Sequence, residues 1–135
     1  MCIRDRIKPQ DKIGVVAQTT ILFSTFQKAV SSILKVAKQM KVYNTICEAS
    51  TRRQQAAVEL AQRVDLMLVI GGRNSGNTNR LAEMCATSGK PTYHIETYRE
   101  LKKQWFKGKQ KVGITAGAST PDWIIKEVVD KLKEC

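Results

Sequence analysis

The sequence predicts an α/β fold in which a parallel sheet is flanked by helices. Short β-rich runs alternate with longer helical patterns along the chain, and polar or glycine-containing turns separate the runs from the helices. Such alternation implies parallel strands joined by right-handed crossovers that cover both faces of the sheet. At 135 residues, the chain has room for one core of ordinary size, or for one domain and part of another.

Five strands and five helices are predicted, in alternation. The strands are placed at residues 13–18, 42–47, 66–71, 91–95 and 111–115, and the helices at 22–40, 51–64, 78–88, 98–105 and 123–132. Apolar or β-rich runs support the strands, and helical patterns that follow polar turns support the helices. Pro121 suits a first helical turn, because its missing N–H would have no partner there.

Residues 74–80 carry the strongest functional signal in the chain. They follow an apolar run and the pair Gly71 and Gly72, and they lead straight into a helical pattern. The free N–H groups of a helix start, the positive end of its dipole and short hydroxyl or amide side chains together favour an anion, most often a phosphate. On this segment alone, a helix N-cap followed by an ordinary turn is an equally good interpretation.

A second turn of the same design lies at residues 116–122. It follows the predicted strand 111–115, contains Gly117 and Ser119, and leads into the last helix. Because α/β folds bind ligands at the carboxyl ends of parallel strands, we expect the two turns to lie at the same edge of one sheet.

Cysteine usage gives a weaker signal. Cys47 falls at the end of the predicted strand 42–47, where a single cysteine is more often a small buried apolar residue than a metal ligand or nucleophile. The four cysteines, at positions 2, 47, 85 and 135, show no Cys-x-x-Cys spacing, so neither a zinc site nor a disulfide framework is suggested. Because no signal peptide or membrane-span pattern is present either, we expect a cytoplasmic location.

The formal net charge of +11 raises the question of nucleic acid. Residues 102–111 form a basic stretch that includes Trp105 and Phe106. We favour a solvated surface segment whose aromatic residues pack onto the sheet, because a basic run without a recognition fold is weak support for a nucleic-acid site. The positive charge would also attract a small phosphate-bearing ligand.

Four segments in this order and spacing form a recognisable set. They are residues 15–20, residues 45–47 with Arg53 and Gln54 behind them, residues 69–81, and residues 113–122. Together they resemble the 4-hydroxy-3-methylbut-2-enyl diphosphate reductase family of the methylerythritol phosphate (non-mevalonate) route to isoprenoid precursors. The likeness covers nearly all of residues 12–132, and four ordered motifs are far more specific than one glycine-rich loop.

The resemblance implies roles for individual residues. Cys47 is similar to one of the family's three cysteine ligands to a [4Fe–4S] cluster, and thiolates suit such a cluster because its irons prefer soft anionic ligands. Thr19 matches the threonine beside the substrate's hydroxymethyl group. Gly76 stands where relatives often have serine, so only its backbone N–H would contribute. The residues that match the family's diphosphate ligands are Ser75, Asn77 and Ser119.

The chain also departs from the family, whose members are much longer. The resemblance implies an N-terminal part, outside this sequence, with the other two cluster cysteines, the histidines that neutralise the diphosphate and the proton-donating glutamate. No catalytic residue is therefore assigned in this chain. We expect residues 1–11 to be a leader that is partly extraneous, residues 12–41 to end the second of three α/β domains, and residues 42–135 to form the third. His94, in strand 91–95, is expected to be structural and away from the polar turns.

The resemblance therefore predicts an incomplete C-terminal fragment of an iron–sulfur-dependent reductase. The whole enzyme would reductively remove a hydroxyl from 4-hydroxy-3-methylbut-2-enyl diphosphate, giving isopentenyl and dimethylallyl diphosphate, with ferredoxin or flavodoxin as electron donor. With one cluster ligand of three, the isolated fragment is expected to be inactive. The alternative is a non-catalytic phosphate-binding α/β module, which the fold alone would permit.

Overall fold

The computed structural model describes residues 12–134, so the predicted leader at residues 1–11 lies outside the described residues. The described part contains five strands, four α-helices and two short 3₁₀ helices. In chain order they are β1 (Lys12–Val16), α1 (Phe23–Leu34), β2 (Gln39–Tyr43), α2 (Glu48–Arg63), β3 (Leu66–Ile70), α3 (Gly76–Ala86), β4 (Thr92–Ile95), the 3₁₀ helices Tyr98–Glu100 and Lys103–Phe106, β5 (Val112–Ala116) and α4 (Asp122–Lys133).

The chain divides into two compact units, with the boundary between Thr51 and Arg52. In the first unit, β1 and β2 form a parallel pair in which Lys12 lies opposite Gln39. Helix α1 makes the crossover between these two strands. Whether residues 12–41 and 42–135 belong to separate domains of a longer enzyme stays a prediction.

The second unit contains a three-stranded parallel sheet in the order β4-β3-β5. Its central strand pairs on one side with β4 and on the other with β5, so that Ile70 lies opposite both Ile95 and Ala116. The carboxyl ends of the three strands therefore align at one edge. This arrangement confirms the predicted α/β class, and it places the ends of β3 and β5 at the same edge of one sheet, as predicted.

The core of the second unit lies on both faces of β3, whose five residues are all apolar and fully buried. Met67 and Val69 pack on one face with residues of α2 and α3. Leu66, Leu68 and Ile70 pack on the other face with Val128 of α4 and the aromatic residues of the 3₁₀ segment. A continuous apolar run is typical of a parallel strand covered on both faces.

Three predicted elements differ most from the structure in their limits. The helix predicted at residues 22–40 ends at Leu34. The strand predicted at 42–47 is β2, which begins three residues earlier and ends four residues earlier. Asn44 explains why β2 stops, because its Oδ1 accepts the N–H of Ile46 at 3.2 Å in a local turn. The single helix predicted at 98–105 is two 3₁₀ helices, since Leu101 between them has extended backbone with ψ 132°.

Cys47 was predicted to lie at a strand end. It lies instead immediately before α2. Among residues 12–134, no helix has both the length and the apolar character needed to cross a membrane.

Candidate anion-binding site

The turn after β3 is fastened to the end of β4 by its backbone. Gly71 N–H donates to the carbonyl of Ile95 at 3.0 Å, and the carbonyl of Gly71 accepts Nε2–H of His94 at 2.8 Å. His94 thus has the predicted structural role, but the prediction that it lies away from the polar turns was wrong. Asn79 Nδ2 closes the turn by donating to the carbonyl of Arg73 at 2.8 Å.

Ser75 is the N-cap of α3. Its Oγ accepts the backbone N–H of Thr78 at 3.3 Å, and Gly76 begins the helix with an exposed position. The N-cap interpretation of this segment is therefore confirmed. A helix cap does not exclude an anion, because the first-turn N–H groups of a helix can bind a ligand beside the cap.

Asn77 and Thr78 are the unusual residues of this helix start. Asn77 is 7% exposed and Thr78 is 0% exposed. Neither polar atom of the Asn77 side chain, nor Oγ1 of Thr78, has a hydrogen-bond partner among the described residues. Few buried polar groups in folded proteins stay unpaired, and those that do need a water, an ion or a ligand to complete them.

The turn after β5 is fastened to the end of β3. The carbonyl of Ile70 accepts two hydrogen bonds from this turn, from Gly117 N–H at 2.9 Å and from Thr120 Oγ1 at 3.0 Å. Thr120 N–H in turn donates to the carbonyl of Gly117 at 3.0 Å. Ser119 is exposed within this turn. The two glycine turns thus lie at the same sheet edge, as predicted.

Thr78 occupies the space where the two turns meet. A Cβ added at Gly71 would lie 2.6 Å from Thr78 Oγ1 and 2.8 Å from Thr120 Oγ1, and a Cβ added at Gly117 would overlap Thr78 Oγ1 outright. Gly71 also has φ +152°, which side-chain-bearing residues rarely adopt. Sequence reasoning missed Thr78 and Thr120, because a threonine near a helix start carries no signal of what it will pack against.

The arginine of the first turn is already paired. The guanidinium of Arg73 forms ion pairs with Glu96, at 3.2 Å, and with Glu100. The hydrogen bond that Arg73 donates to Glu100 raises the pKa of Arg73. Burial alone would raise the pKa of Glu100, but the hydrogen bonds that it accepts from Arg73 and from two backbone N–H groups lower it overall. The cation is therefore neutralised locally, which leaves neutral donors to bind an anion here.

The remaining two predicted site residues lie together in the first unit. Cys47 N–H donates to the carbonyl of Thr19 at 2.8 Å, and both residues are exposed. Nearby, Thr45 Oγ1 accepts the N–H of Ala17 at 2.8 Å and donates to the carbonyl of Ala17 at 2.6 Å. That Thr19 and Cys47 converge with the residues of the two glycine turns stays a prediction.

A complete metal-ligand set is not found in the described part of the chain. Residues 12–134 contain no group of three or more His, Cys, Asp or Glu side chains that could hold a metal ion. Cys85 is buried in the core of the second unit, with Sγ 4.0 Å from the carbonyl of Ala57, and burial raises its pKa. Because a thiolate rather than a thiol binds metals, Cys85 is a poor candidate ligand and Cys47 is the better one.

Comparison with known families gives a match over almost the whole chain. The model of the family described as LytB protein matches residues 3–133. Among curated relatives, the 4-hydroxy-3-methylbut-2-enyl diphosphate reductase of Trichlorobacter lovleyi is 54% identical over 123 residues, covering 91% of this chain and 44% of the relative. The reductase of the same name from Geobacter sulfurreducens is 50% identical over 129 residues, covering 96% of this chain and 46% of the relative.

Solved structures of reductases also match this chain. A structure of (E)-4-hydroxy-3-methyl-but-2-enyl diphosphate reductase, the terminal enzyme of the non-mevalonate pathway, matches with a TM-score of 0.67 and 48% identity, over 92% of this chain and 44% of that protein. The E-1-hydroxy-2-methyl-but-2-enyl-4-diphosphate reductase of Plasmodium falciparum matches with a TM-score of 0.78 and 25% identity, over 96% of this chain and 42% of that protein. The chain thus spans less than half the length of the relatives that it matches.

Proposed function

The chain belongs to the LytB protein family, and we propose that it supplies the diphosphate-binding part, and one cluster ligand, of a 4-hydroxy-3-methylbut-2-enyl diphosphate reductase. The whole enzyme would add two electrons and two protons to its substrate and release the hydroxyl as water. The products would be isopentenyl and dimethylallyl diphosphate. The named relatives support this reaction, and the geometry of the two glycine turns supports the part assigned to this chain.

The single observation that carries the proposal is the buried side chain of Asn77. Both its polar atoms lack a partner among the described residues, although the residue is 7% exposed. It lies in the first turn of α3, where free backbone N–H groups and the helix dipole favour negative charge. A phosphate oxygen would accept a hydrogen bond from Nδ2 and relieve part of this unpaired state.

The other diphosphate contacts would come from the rims of the two turns. Ser75 lies at the start of α3 and Ser119 in the turn after β5, and Gly76 would contribute its backbone N–H. Each is a neutral donor, in keeping with the pairing of Arg73 to two carboxylates. Such donors hold and orient a diphosphate through directional hydrogen bonds rather than through net charge.

Cys47 would be one ligand of a [4Fe–4S] cluster. The described residues do not fit the whole cluster, because they offer no set of three ligands. The other thiolates would have to come from outside residues 12–134. Thr19, whose carbonyl accepts the N–H of Cys47, would then lie beside the substrate's hydroxymethyl group. The electron donor would be a ferredoxin or flavodoxin, and the location the cytoplasm.

Binding of inorganic pyrophosphate to the chain tests the assigned part. A hydrogen bond to a charged acceptor contributes about 1.5–3 kcal/mol, and 1.4 kcal/mol is tenfold in affinity. Ser119→Ala should therefore weaken pyrophosphate binding by roughly ten- to a hundred-fold in calorimetric titrations. Thr87→Ala, at the exposed far end of α3, is the matched control and should bind like the wild type. Equal affinities for all three proteins would remove Ser119 from the site.

A non-catalytic phosphate-binding module would give the same titration, so turnover separates the two functions. The module binds pyrophosphate but supports no reduction when joined to the rest of a family enzyme. The reductase proposal requires both pyrophosphate binding by the chain and turnover by the joined enzyme.

A further inference from the structure

Thr78 stands out because it contacts both glycine turns at once. It belongs to the helix start that follows the first turn, where its backbone N–H donates to Ser75 Oγ. Its side chain fills the space beside Gly71 and Gly117, so closely that a Cβ on either glycine would clash with Oγ1. The side chain is completely buried, and Oγ1 has no hydrogen-bond partner among the described residues.

The two turns are otherwise held by separate backbone contacts. The first is fixed to β4, through Gly71 N–H and the carbonyl of Ile95, and the second to β3, through Gly117 N–H and the carbonyl of Ile70. These bonds set the position of each turn relative to the sheet. Between the turns themselves, Thr120 Oγ1 of the second turn packs beside Gly71, and the Thr78 side chain packs against the glycines of both turns. The size of the Thr78 side chain therefore limits how closely the start of α3 and the turn at Gly117 approach each other.

We propose that Thr78 is a positioning residue of the anion site, a spacer that fixes the distance between the two glycine turns. This inference rests on the proposed function, in which one diphosphate contacts donors on both turns. A ligand held from two sides requires its donors to be pre-set to within fractions of an ångström, because misplacement weakens every contact together. The hydroxyl of Thr78 is not itself assigned to the ligand.

Two substitutions distinguish the spacing role of the Thr78 side chain from a role of its hydroxyl group. Thr78→Val keeps a branched side chain of nearly the same shape and removes the hydroxyl, which has no partner to lose. Thr78→Ala removes the spacer. Thr87→Ala, an exposed threonine at the other end of the same helix, is the control for a threonine-to-alanine change in α3.

The test is titration of the ¹⁵N-labelled chain with inorganic pyrophosphate, followed through backbone amide signals. In the wild type, amides of residues 75–78 and of residues 117–120 should shift together with one dissociation constant. Thr78→Val should bind within about threefold of the wild type. Thr78→Ala should lose about tenfold in affinity, and its amides at residues 117–120 should no longer respond while those at 75–78 still do. A purely structural role would lower stability without uncoupling the two turns.

Each other result decides against the spacer. Thr78→Ala with wild-type affinity and a coupled response would overturn it, and so would equal losses in Thr78→Val and Thr78→Ala, which would assign the effect to the hydroxyl. If Thr78→Ala does not fold, Thr78→Ser replaces it. Serine keeps the oxygen that lies nearest to both glycines and loses only a methyl group. Thr78→Ser should therefore bind within about threefold of the wild type with a coupled response, and a tenfold loss or an uncoupled response would overturn the spacer. No response to pyrophosphate at either turn of the folded wild-type chain would refute the proposed anion site itself.

Discussion

Ser75 combines an observed role with a proposed one. It caps α3 by accepting the N–H of Thr78, and its hydroxyl is proposed to donate to the diphosphate. Ser75→Ala should lower the free energy of unfolding by about 1 kcal/mol, whereas Ser75→Gly should lower it by only a few tenths, because glycine is tolerated at an N-cap. Both variants should weaken pyrophosphate binding by about tenfold. Urea denaturation and calorimetry measure the two effects separately, and wild-type binding by Ser75→Gly would leave only the capping role.

Gly117 tests the close packing between the turns. A methyl group at this position would overlap Thr78 Oγ1, so Gly117→Ala should lower the free energy of unfolding by about 1–3 kcal/mol, as overpacking does. Ala118→Ser, one residue further along and exposed, should change it by less than about 0.5 kcal/mol. Urea denaturation of both variants measures the difference. Equal stability of the two would mean that the turns are not packed as described.

Sequence reasoning located the parts of the site but not the way they meet. The residues of both turns were predicted because glycines, hydroxyls and a following helical pattern lie close together in the chain. The burial of Asn77 and the position of Thr78 could not be predicted, since they depend on the packing of segments about forty residues apart. The pairing of Arg73 with Glu96 and Glu100 was missed for the same reason.

At the scale of the elements, two carboxylates fasten the loops of the second unit. Asp65, just before β3, accepts the N–H groups of Lys111 and Gln110, both at 3.0 Å, and these bonds lower its pKa. Glu100 accepts the N–H groups of Glu96, at 2.7 Å, and Thr97, at 3.3 Å, besides its contact with Arg73. Each carboxylate therefore anchors a loop segment only while it is ionised.

The lowered pKa values predict a loss of stability in acid. Because both carboxylates have folded-state pKa values below their ordinary values of 3.8 for Asp65 and 4.5 for Glu100, their contribution is present above those values and is lost as the pH falls through the folded-state values. The urea concentration at the unfolding midpoint should decrease as the pH is lowered from 5 to 3. The double variant Asp65→Asn, Glu100→Gln should be less stable at pH 6 and should show a smaller fall. If the midpoint of the double variant decreased as much as that of the wild type, groups other than Asp65 and Glu100 would cause the acid sensitivity.

The limits of the elements show what local patterns leave undecided. The strands of the second unit were predicted to within one residue, because apolar runs bounded by glycine, proline or charged residues have few alternatives. β2 was misplaced, because residues 35–40 also fit a helical pattern. Parallel pairing with β1 and the local turn at Asn44 determine where β2 begins and ends, and neither is visible in a short window of sequence.

At the scale of the whole molecule, the chain by itself should not retain an iron–sulfur cluster. Within residues 12–134, Cys47 is the exposed cysteine and Cys85 is buried. One thiolate leaves a cluster open to solvent and oxidation. Anaerobic reconstitution, desalting and iron counting should therefore find little bound iron, with the same result for Cys47→Ser. Four irons per chain that survive desalting would show that Cys2 or Cys135, outside the described residues, supplies ligands.

We propose that this chain can serve as the matching part of a reductase. The proposal is tested by turnover of 4-hydroxy-3-methylbut-2-enyl diphosphate in a chimaera. In this chimaera, the chain replaces the segment of the Geobacter sulfurreducens reductase to which it is 50% identical over 129 residues. We expect a reconstituted cluster and the formation of isopentenyl and dimethylallyl diphosphate. Ser119→Ala should raise KM by about tenfold with the cluster intact, and Cys47→Ser should abolish both cluster and turnover. A folded chimaera that binds pyrophosphate and holds its cluster, yet forms no product while the parent enzyme does, would contradict the claim.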